Sequence, residues 1–455
     1  MPLPVSVSNI HINLIDGSAN LNHKIRTSPK LGRESPKLIS VLVFGKGLDA
    51  REQLRTGETF RYPRYNSAST RESRVSGLET RFANGGPGVY YRLIAKENFK
   101  FESYRKPTQM SAPAIFQFAI LGLGNIARKF AEDLALIPDA KLVAVGSRSA
   151  GRAEAFAKDF GAEHAAGSYA AVFDGPRVDA VYIATPHVTH RELTTMCLNK
   201  GVPVICEKPL GLNLAEVEVV VALAREKGVY LLEALWTRFL PTTNKLKELI
   251  DDGVIGEVQS IRSDFGFRAK GLESVLENPF IAPAAAPKRN RILDPALGGG
   301  ALLDIGIYPQ FLAQFLLGAP EEINATARLS PQGVDLDTSV TCRHAGGKLS
   351  HSYSTVLGRT KTEALIIGSK ASLHWHPRWH EPGSFSLLRD KDTPPENFYF
   401  DYDGANGYRY EAEAMMADVR AGRRENALWG LADSLSLHRT LTEVREMIGV
   451  RYAGE

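Results

Sequence analysis

A lysine stands where an open α/β sheet binds its ligands. The run Val204-Ile-Cys-Glu-Lys-Pro-Leu210 has the pattern of a buried strand that ends near Lys208. Ligands of such sheets bind at the carboxyl ends of the strands, so we expect a turn to aim the Lys208 ammonium into a site. The bond to Pro209 is expected to be cis, a form almost confined to X-Pro bonds. The alternative is an ordinary surface lysine.

An aspartate and a tyrosine form a second group suited to chemistry. Asp304 and Tyr308 lie four residues apart in Gly298-Gly-Gly-Ala-Leu-Leu-Asp-Ile-Gly-Ile-Tyr308, which precedes a predicted helix through Leu317. Residues four apart share one face of a helix, and Gly306 leaves room for another backbone or a cofactor ring. The alternative is a carboxylate favoured by the helix dipole beside a packed tyrosine.

A glycine-rich pattern, Gly122-x-Gly124-x-x-Ala127, lies between an apolar run and a helix-forming segment. Gly122 permits a tight turn, Gly124 lets a pyrophosphate approach the backbone, and Ala127 lets the helix pack close to the strand. The first amides of the helix then point at the phosphates. This context predicts a dinucleotide-binding turn.

The end of the second predicted strand indicates which dinucleotide is bound. Proteins that bind NAD place Asp or Glu there, and proteins that bind NADP replace it with Arg. Here the strand continues into Gly146-Ser-Arg-Ser-Ala-Gly-Arg152, which has no carboxylate. Ser147 and Arg148 stand where a 2′-phosphate lies, and Arg152 can close over it. The alternative is a pair of solvated arginines at a helix entry. We favour NADP over NAD.

A lysine, a tyrosine and a nicotinamide together suit hydride transfer. Oxidation of an alcohol needs a base that removes the hydroxyl proton while the nicotinamide takes the hydride. A free tyrosine has a pKa of about 10, and lowering it for use near neutrality requires about 3–4 kcal/mol of anion stabilisation. The Lys208 ammonium and the oxidised nicotinamide are the expected sources of that stabilisation.

The elements around the glycine turn alternate between strand and helix. The predicted strands begin at Ile115 and continue with Lys141–Gly146, Val178–Ala184, Val202–Cys206 and Val229–Leu235. The predicted helices between them are Ala127–Leu136, Ala150–Phe160, His190–Lys200 and Leu214–Lys227. Short βαβ connections of this kind predict a doubly wound parallel sheet of the Rossmann type over residues 114–238.

After Pro241 the pattern changes to long alternating segments. A short helix, Asn244–Asp251, precedes predicted strands at 256–267, 322–329, 338–344, 348–355, 363–368 and 371–376, and helices follow at 408–421 and 430–448. This predicts an α+β domain over residues 239–455 with a large, mostly antiparallel open sheet. Because a half-covered sheet needs a cover, we expect a homodimer through this sheet.

Charge and cysteine usage exclude several classes of protein. Residues 1–109 hold 18 Lys and Arg against 9 Asp and Glu, and the remainder holds 37 against 42. The basic charge lies outside the body, so we expect no nucleic-acid partner. No apolar run reaches the roughly 18 residues that span a bilayer, so no membrane association is expected. Three cysteines without a ligand or disulfide pattern predict a cytoplasmic protein.

Residues 1–113 differ from the rest of the chain. Only Leu38-Ile-Ser-Val-Leu-Val-Phe44 has the pattern of a strand, and the remaining residues are rich in Arg, Ser, Asn, Gly and Pro without periodicity. This predicts a basic, mostly disordered extension. Met110 stands just before the first strand of the body, as a start site would. We therefore expect the extension to be foreign to the fold and to arise from an upstream start assignment.

Two further patterns resemble sites of other classes. Asp264-Phe-Gly266 matches a kinase motif but lies in a predicted strand, without the catalytic loop that kinases require. His374, His376 and His380 suggest a metal site, but neither a carboxylate nor a cysteine completes the set. We expect no metal.

Several motifs together resemble the glucose-fructose oxidoreductase and inositol dehydrogenase (Gfo/Idh/MocA) superfamily. They are the glycine turn, Thr185-Pro-His-Val-Thr-His190, Glu207-Lys-Pro209 and the segment Gly298 to Tyr308. The segments Trp236-Thr-Arg-Phe-Leu-Pro241, Ser263-Asp-Phe-Gly-Phe267 and Ile448-Gly-Val-Arg-Tyr452 narrow the likeness to one branch. That branch resembles the dimeric trans-1,2-dihydrobenzene-1,2-diol dehydrogenases and the NADP-dependent D-xylose 1-dehydrogenases. The likeness does not extend into residues 1–113.

The resemblance implies roles for individual residues. It implies that Lys208 and Tyr308 form the catalytic pair, with Asp304 beside them. The implied substrate pocket contains Trp236, Arg238, Phe267, Asp304 and Tyr308. The implied cofactor site contains Gly122, Gly124, Asn125, Ile126, Ala127, Ser147, Arg148, Arg152, Thr185, Pro186, His187, His190, Glu207 and Lys208. Many members have His where this chain has Tyr308, and Asn where it has His187.

The sequence therefore predicts an NADP-dependent oxidoreductase that acts on a sugar or a vicinal diol. A catalytically silent nucleotide-binding regulator on the same scaffold is one alternative, which an intact Lys208 and Tyr308 disfavour. An NAD-dependent glycosidase of related fold is another, which the pair Arg148 and Arg152 disfavours.

Overall fold

The computed structural model describes residues 114–273 and 290–452 throughout, and the backbone of five strands before them. Those strands are β1 (Ile15–Asp16), β2 (Ala19–Asn20), β3 (Leu38–Leu42), β4 (Leu78–Ala83) and β5 (Tyr90–Ala95). Strands β1 and β2 pair with each other, and β3, β5 and β4 form a separate antiparallel sheet. The strand expected near residue 38 is present, whereas β4 and β5 were not predicted. The expected disorder of the other residues before 114 lies outside the described residues.

Contacts divide the chain into two units, residues 1–110 and 111–455. The second unit begins with a six-stranded sheet whose pairings are all parallel. Its strands are β6 (Phe116–Leu121), β7 (Ala140–Gly146), β8 (His164–Ala166), β9 (Ala180–Ile183), β10 (Val204–Glu207) and β11 (Leu231–Ala234). The order β8-β7-β6-β9-β10-β11 is that of a doubly wound dinucleotide-binding sheet. The predicted Rossmann fold is confirmed.

Four helices cover the two faces of this sheet. They are α1 (Asn125–Leu134), α2 (Ala150–Phe160), α3 (His190–Asn199) and α4 (Leu214–Lys227). The strands between them are almost fully buried, which explains why they are continuous apolar runs rather than alternating ones. Gly161 and Gly228 adopt left-handed conformations just after α2 and α4, as expected of residues that end a helix.

The second sheet has eight strands and is mostly antiparallel. They are β12 (Val258–Gly266), β13 (Pro320–Leu329), β14 (Asp335–His344), β15 (Leu349–Thr355), β16 (Ala364–Gly368), β17 (Ser372–Trp375), β18 (Phe385–Leu388) and β19 (Glu396–Phe398). Their order is β13-β14-β15-β12-β16-β17-β18-β19, and only β12 and β15 run parallel. The predicted α+β architecture is confirmed. Strands β18 and β19 were missed because each has only three or four residues.

Two of the four remaining helices cover one face of the second sheet. The four helices are α5 (Pro241–Asp251), α6 (Ile307–Leu317), α7 (Arg409–Arg420) and α8 (Leu431–Ile448), and α6 and α8 are the two on the sheet. Helix α6 packs on β12 and β15, and α8 packs on β13 and also on α4 of the Rossmann sheet. The opposite face of the sheet leaves Leu349 and Tyr353 about two-fifths exposed. The two sheets are therefore joined by helices, and one broad sheet face stays open.

The segment Pro295–Leu317 corrects one expectation from composition. It is 23 residues long with a mean hydropathy of 1.3, which is long and apolar enough to cross a membrane. Within the structure 83% of its apolar window is buried. The core helix of a soluble protein meets the same criterion, and the burial of this segment between the sheets is that of a core helix.

Candidate active site

The glycine turn between β6 and α1 has room for a phosphate group. Gly122 has a φ of +86°, and a Cβ there would lie 2.6 Å from the Thr185 side chain and 2.7 Å from the Ala184 carbonyl oxygen. No other residue fits that position. A Cβ on Gly124 would meet nothing within 4 Å, so the space above the start of α1 is open. The turn thus fits the pyrophosphate of a dinucleotide.

The start of α1 supplies free backbone donors to that space. No side chain caps the helix, and its first turn carries no acidic residue. Asn125 and Ile126 are exposed at the opening, while Ala127 is fully buried against the sheet. An uncapped N-terminus with a positive dipole end favours an anion. These residues lie where the sequence predicted a cofactor.

The polar residues after β7 lie beside the glycine turn. Arg152 donates a hydrogen bond from Nη2 to the Leu123 carbonyl oxygen at 3.3 Å. Ser147 is buried at the strand end and accepts from the Ser149 amide at 3.2 Å, whereas Arg148 is exposed. The described residues place no carboxylate between β7 and α2. Arg152 therefore lies against the glycine turn, and Ser147 and Arg148 lie at the end of the neighbouring strand.

Lys208, Asp304 and Tyr308 meet, although about a hundred residues separate the lysine from the other two. The Lys208-Pro209 bond is cis. The Lys208 Nζ donates to the main-chain oxygen of Asp304, lies 3.7 Å from Asp304 Oδ1, and lies 5.1 Å from the centre of the Tyr308 ring. Burial lowers the pKa of Lys208, and the Asp304 and Glu207 carboxylates oppose this shift.

The Tyr308 hydroxyl is held by a tryptophan. Trp236 donates a hydrogen bond from Nε1 to the Tyr308 oxygen at 2.8 Å, and its ring stacks on Tyr408 at 4.4 Å. Burial, followed by the charge of Glu207, raises the pKa of Tyr308 well above its ordinary value, while the bond from Trp236 opposes this. Lys208 therefore does not by itself lower the pKa of Tyr308 as expected. In this state the phenol is protonated at neutral pH.

Arg291 joins the site, although sequence patterns did not single it out. Its Nη2 donates to Asp304 Oδ1 at 2.7 Å, and its Nη1 lies 2.9 Å from His187 Nε2. His187 Nδ1 lies 3.0 Å from the Gly298 carbonyl oxygen. Arg291 begins a short 3-10 helix, Arg291–Leu293, in a segment without periodicity, so no sequence signal marks it. Asp304 is thus shared between a lysine and an arginine.

The charges of this group explain the pKa directions. Burial would raise the pKa of the Asp304 carboxyl, but Lys208 and Arg291 outweigh it and hold the pKa well below its usual value. Burial and the Arg291 charge lower the pKa of His187, against the opposing effect of Asp304. The cluster therefore contains an ionised aspartate and a neutral histidine that can donate from Nδ1 to Gly298 and accept from Arg291.

The remaining predicted cofactor residues lie around and behind this cluster. The Thr185 hydroxyl accepts from the Thr189 hydroxyl at 2.8 Å, and Pro186 follows in the same loop. His190 is fully buried, with Nδ1 2.7 Å from the Pro209 oxygen and Nε2 2.9 Å from the Thr185 oxygen. Burial lowers the pKa of His190, and a neutral imidazole donates from one nitrogen only, so the ring donates to one of these two carbonyl oxygens. Glu207 accepts from the buried Tyr182 hydroxyl rather than facing the opening.

The structure does not bring Arg238 into the predicted substrate pocket. Its Nε donates to the Leu428 oxygen at 3.0 Å, its Nη1 donates to Asn244 at 2.9 Å, and the guanidinium lies over Phe315. Trp236 and Arg238 belong to a 3-10 helix, where residues two apart point in different directions. Arg238 therefore connects α5 to the segment around Leu428. Of these two residues, it is Trp236 that contacts Tyr308.

Phe267 also lies apart from Tyr308. Strand β12 ends at Gly266, and Phe267 packs against a small cluster that includes Leu293 and Ile305. Phe265 takes the expected place, because its ring centre lies 5.7 Å from that of Tyr308. The strand predicted over residues 256–267 extends one residue beyond the actual end at Gly266, so Phe267 leaves the strand and Phe265 is the last ring within it.

The three histidines of the apparent metal motif have different surroundings, although the ring centres of His374 and His376 lie 5.2 Å apart. His380 lies in the site, 5.0 Å from the Tyr308 ring centre and 4.1 Å from that of Phe265, with Glu381 3.4 Å from its Nε2. His374 instead contacts Glu363 at 3.1 Å on the open sheet. Within residues 114–273 and 290–452, no group of three His, Cys, Asp or Glu side chains could hold a metal ion.

Comparisons with known families agree with this fold and site. A model described as the oxidoreductase family with an NAD-binding Rossmann fold matches residues 116–234. A model described as the GFO/IDH/MocA C-terminal domain matches residues 243–374. The class is that of an NAD(P)-dependent oxidoreductase. The chain belongs to the Gfo/Idh/MocA family.

Individual relatives narrow the comparison. The chain is 34% identical over 342 residues to the trans-1,2-dihydrobenzene-1,2-diol dehydrogenase of Mus musculus, covering 74% of this chain and 98% of that protein. The Danio rerio enzyme of the same name is 33% identical over 345 residues, covering 74% and 98%. Both matches cover nearly the whole relative and about three-quarters of this chain.

Solved structures give a similar result. The 3-ketoreductase KijD10 of Actinomadura kijaniata, solved with NADP and TDP-benzene, is 26% identical with a TM-score of 0.63, covering 74% of this chain and 99% of that one. An aldose-aldose oxidoreductase of Caulobacter crescentus, solved with glycerol, is 23% identical with a TM-score of 0.63, covering 73% and 97%. The second likeness shows the fold alone.

Proposed function

We propose that this protein is an NADP-dependent dehydrogenase that transfers hydride between the nicotinamide and a sugar or vicinal diol. The substrate would be an aldose such as D-xylose or a trans-dihydrodiol. The observation that carries the proposal is the meeting of Lys208 Nζ with Asp304 and the Tyr308 ring at the carboxyl end of β10. The similarity to the two trans-1,2-dihydrobenzene-1,2-diol dehydrogenases named above supports a diol as substrate.

Each side chain of the site has a separate role in the proposed proton transfer. Bound NADP supplies the hydride chemistry. Tyr308 holds its proton in this state, because burial and Glu207 raise its pKa, and it can donate that proton to a substrate carbonyl in the direction of reduction. In oxidation its phenolate would be the base, stabilised by the hydrogen bond from Trp236 and by the positive charge of the oxidised nicotinamide. Asp304, which is itself bound by Arg291, holds the Lys208 ammonium near the Tyr308 ring.

Support for NADP comes from charge near the glycine turn. Arg148 and Arg152 follow β7 and no acidic side chain accompanies them before α2. A guanidinium binds a phosphate with two parallel hydrogen bonds, which a ribose hydroxyl cannot match. KijD10, with the same fold, was solved with NADP. We propose that NAD is a poorer cofactor for this chain.

Turnover with a substrate panel tests the proposal. Reduced cofactor would be followed by absorbance with aldoses, 1,5-anhydrosugars and trans-dihydrodiols, with NAD and NADP in parallel. Lys208→Ala and Tyr308→Phe are each expected to lower kcat about 10²- to 10⁴-fold, the usual contribution of an acid-base group, while NADP still binds. Lys200→Ala and Tyr399→Phe, at exposed positions, are controls. Near-normal turnover in Tyr308→Phe would remove it from the proton-transfer role.

We propose further that the chain forms a homodimer through the open face of its eight-stranded sheet. Leu349 and Tyr353 are outward-facing hydrophobic residues of β15. On the neighbouring strand β12, Asp264 pairs with Tyr353 and Arg262 pairs with His351. A face that carries both signs of charge can complement a second copy of itself across a twofold axis. Cys197, Cys206 and Cys342 are free and buried, which supports a reducing compartment such as the cytoplasm.

A further inference from the structure

We propose that His190, Glu233 and His438 form a clamp that positions Lys208 by holding both polar ends of the peptide unit that follows Pro209. Lys208 precedes Pro209 in the chain, one residue before this peptide unit. None of the three clamp residues contacts the Lys208 ammonium. The inference rests on the proposed function for its catalytic consequence. The clamp itself is supported by the distances among these residues, which do not depend on the proposed function.

The two ends of one peptide unit are each bound by a buried side chain. The Pro209 carbonyl oxygen lies 2.7 Å from His190 Nδ1. The Leu210 amide donates to Glu233 Oε1 at 2.9 Å. Because a peptide unit is planar, fixing its oxygen and its hydrogen on opposite sides prevents rotation of the whole unit. The backbone leading to Lys208 is thereby fixed.

Glu233 is held in turn by the last helix of the chain. His438 of α8 places Nε2 2.8 Å from Glu233 Oε1, and both side chains are fully buried. Burial alone would raise the pKa of Glu233, but His438 and the Leu210 amide outweigh it and lower the pKa. An ionised carboxylate so deep in the protein is costly unless it is paired. The presence of this buried pair therefore fits a positional role for Glu233 and His438.

His190 connects the clamp to the loop that carries the predicted cofactor residues. Its Nε2 lies 2.9 Å from the Thr185 oxygen, while its Nδ1 faces Pro209. Burial lowers the pKa of His190, and a neutral imidazole donates from one nitrogen only, so the clamp uses the tautomer that donates from Nδ1 to Pro209. The ring then lies between the loop after β9 and the loop after β10. The neighbouring residue Glu207 is fixed separately by the Tyr182 hydroxyl. The turn that carries Lys208 is therefore restrained on three sides.

Small displacements of this turn matter because the Lys208 ammonium has to stay close to Asp304 and Tyr308. Its Nζ lies 3.7 Å from Asp304 Oδ1 and 5.1 Å from the Tyr308 ring centre. A shift of about 1 Å in a catalytic group can cost about 10²-fold in rate. A loosened clamp is expected to lower kcat without removing any group that binds substrate or cofactor.

The test compares Glu233→Gln and His438→Gln with a matched control. The control is Asp418→Asn, since Asp418 is also a buried carboxylate and binds Tyr230 at 2.9 Å, at the opposite end of β11 from Glu233. The clamp variants are expected to lose about 10- to 100-fold in kcat. Their KM and their dissociation constant for NADP should stay within about threefold of wild type. Asp418→Asn should match their loss of Tm but keep its kcat.

The chain of contacts predicts how the changes combine. Because His438 acts through Glu233, the double variant should lose no more kcat than Glu233→Gln alone, whereas independent sites would add. Clamp variants with kcat within twofold of wild type, or a loss equalled by Asp418→Asn, would overturn the proposal. If Glu233→Gln does not fold, His438→Gln, at the far end of the same contacts, decides the matter.

A second readout does not depend on turnover. Carbamylation of Lys208 by cyanate, followed by mass spectrometry across a pH series, reports the pKa of its ammonium. Burial lowers that pKa, so a turn released into solvent should move the midpoint to higher pH, while exposed Lys200 is unchanged. An unmoved midpoint in both clamp variants would contradict the clamp. Absent turnover in wild type with a moved midpoint would contradict the proposed function alone.

Discussion

Tyr308 shows how burial and chemistry oppose each other at a single residue. The ring is buried among Trp236, Phe265 and His380, and burial raises its pKa. The only hydrogen bond given to its hydroxyl among the described residues comes from Trp236. The state without ligand therefore favours the protonated phenol. Positive charge brought by the oxidised cofactor has to favour the phenolate.

Replacing the donor on Tyr308 should therefore change the pH dependence. Trp236→Phe keeps the stacking on Tyr408 but removes a hydrogen bond that favours the phenolate, so the pKa of Tyr308 should rise. Oxidation needs the phenolate, and its rate at neutral pH should fall about five- to tenfold for a bond worth about 1 kcal/mol. The rising limb of the rate against pH should move to higher pH.

Trp429→Phe is the control for this change. Trp429 is also buried and donates from Nε1 to Ser434 at 3.0 Å, away from Tyr308. Its pH profile should coincide with that of wild type. A Trp236→Phe profile that also coincides with wild type would show that the bond to Tyr308 does not influence proton transfer.

At the residue scale, the sequence identified groups that belong to motifs and missed those that do not. Lys208, Asp304 and Tyr308 lie at strand ends or helix starts, where spacing carries information. Arg291 begins a short 3-10 helix and His380 lies in a turn. Neither spacing nor periodicity marks residues in such short segments as facing a site. Their roles follow only from which segments pack together.

At the scale of elements, the turn before α6 connects the active site to the second sheet. Leu302–Gly306 forms one turn of π-helix that contains Asp304. Asp335 of β14 accepts from the Leu302 amide at 2.7 Å and from the Thr338 hydroxyl at 2.9 Å. A Cβ on Gly300 would lie 2.1 Å from Asp335 Oδ1. The glycine-rich sequence before Asp304 is therefore required by this buried carboxyl.

The stability of this element should depend on pH through Asp335. Burial raises its pKa to about 6, against opposing hydrogen bonds. An acid with a raised pKa binds its proton more tightly when folded, so its contribution to stability is complete below its ordinary pKa and lost as pH rises through about 6. Asp335→Asn removes that dependence. The free energy of unfolding of the Asp335→Asn variant, minus that of wild type, should therefore rise by up to about 3 kcal/mol from acid to neutral pH.

Denaturant titrations at a series of pH values would measure this difference. Asp337→Asn, two residues along the same strand and less buried, controls for the exchange of a carboxylate for an amide. A difference between Asp335→Asn and wild type that is constant from acid to neutral pH would contradict the assignment. The predicted effect lies in the element that carries Asp304, so activity and stability should change over the same pH range.

At the scale of the whole molecule, the two sheets have different surroundings. The Rossmann sheet is covered on both faces by α1 to α4, whereas helices cover one face of the eight-stranded sheet. Tyr353 stands on the open face between Ser339 of β14 and Asp264 of β12. A large aromatic residue in the middle of an uncovered sheet suits an interface between subunits.

Tyr353→Asp should convert the proposed dimer into a monomer. The substitution places a charge where a second copy would bury an aromatic ring, and an unpaired buried charge is strongly unfavourable. Sedimentation and light scattering would give the oligomeric state. Val219→Asp, at an equally exposed hydrophobic position on α4, should leave it unchanged. A monomeric wild type at micromolar concentration would contradict the proposal.

The sequence by itself determined the fold class, the glycine turn, the charge after β7 and the positions of Lys208, Asp304 and Tyr308. These follow from rules that act within one strand, one turn or one helix. The tertiary structure decided which separated residues meet: Arg291 with Asp304, His380 and Phe265 with Tyr308, and Glu233 and His438 with the turn after Lys208. These contacts depend on how the two sheets pack through shared helices. Contacts between residues so far apart in sequence produce no periodic pattern in the chain.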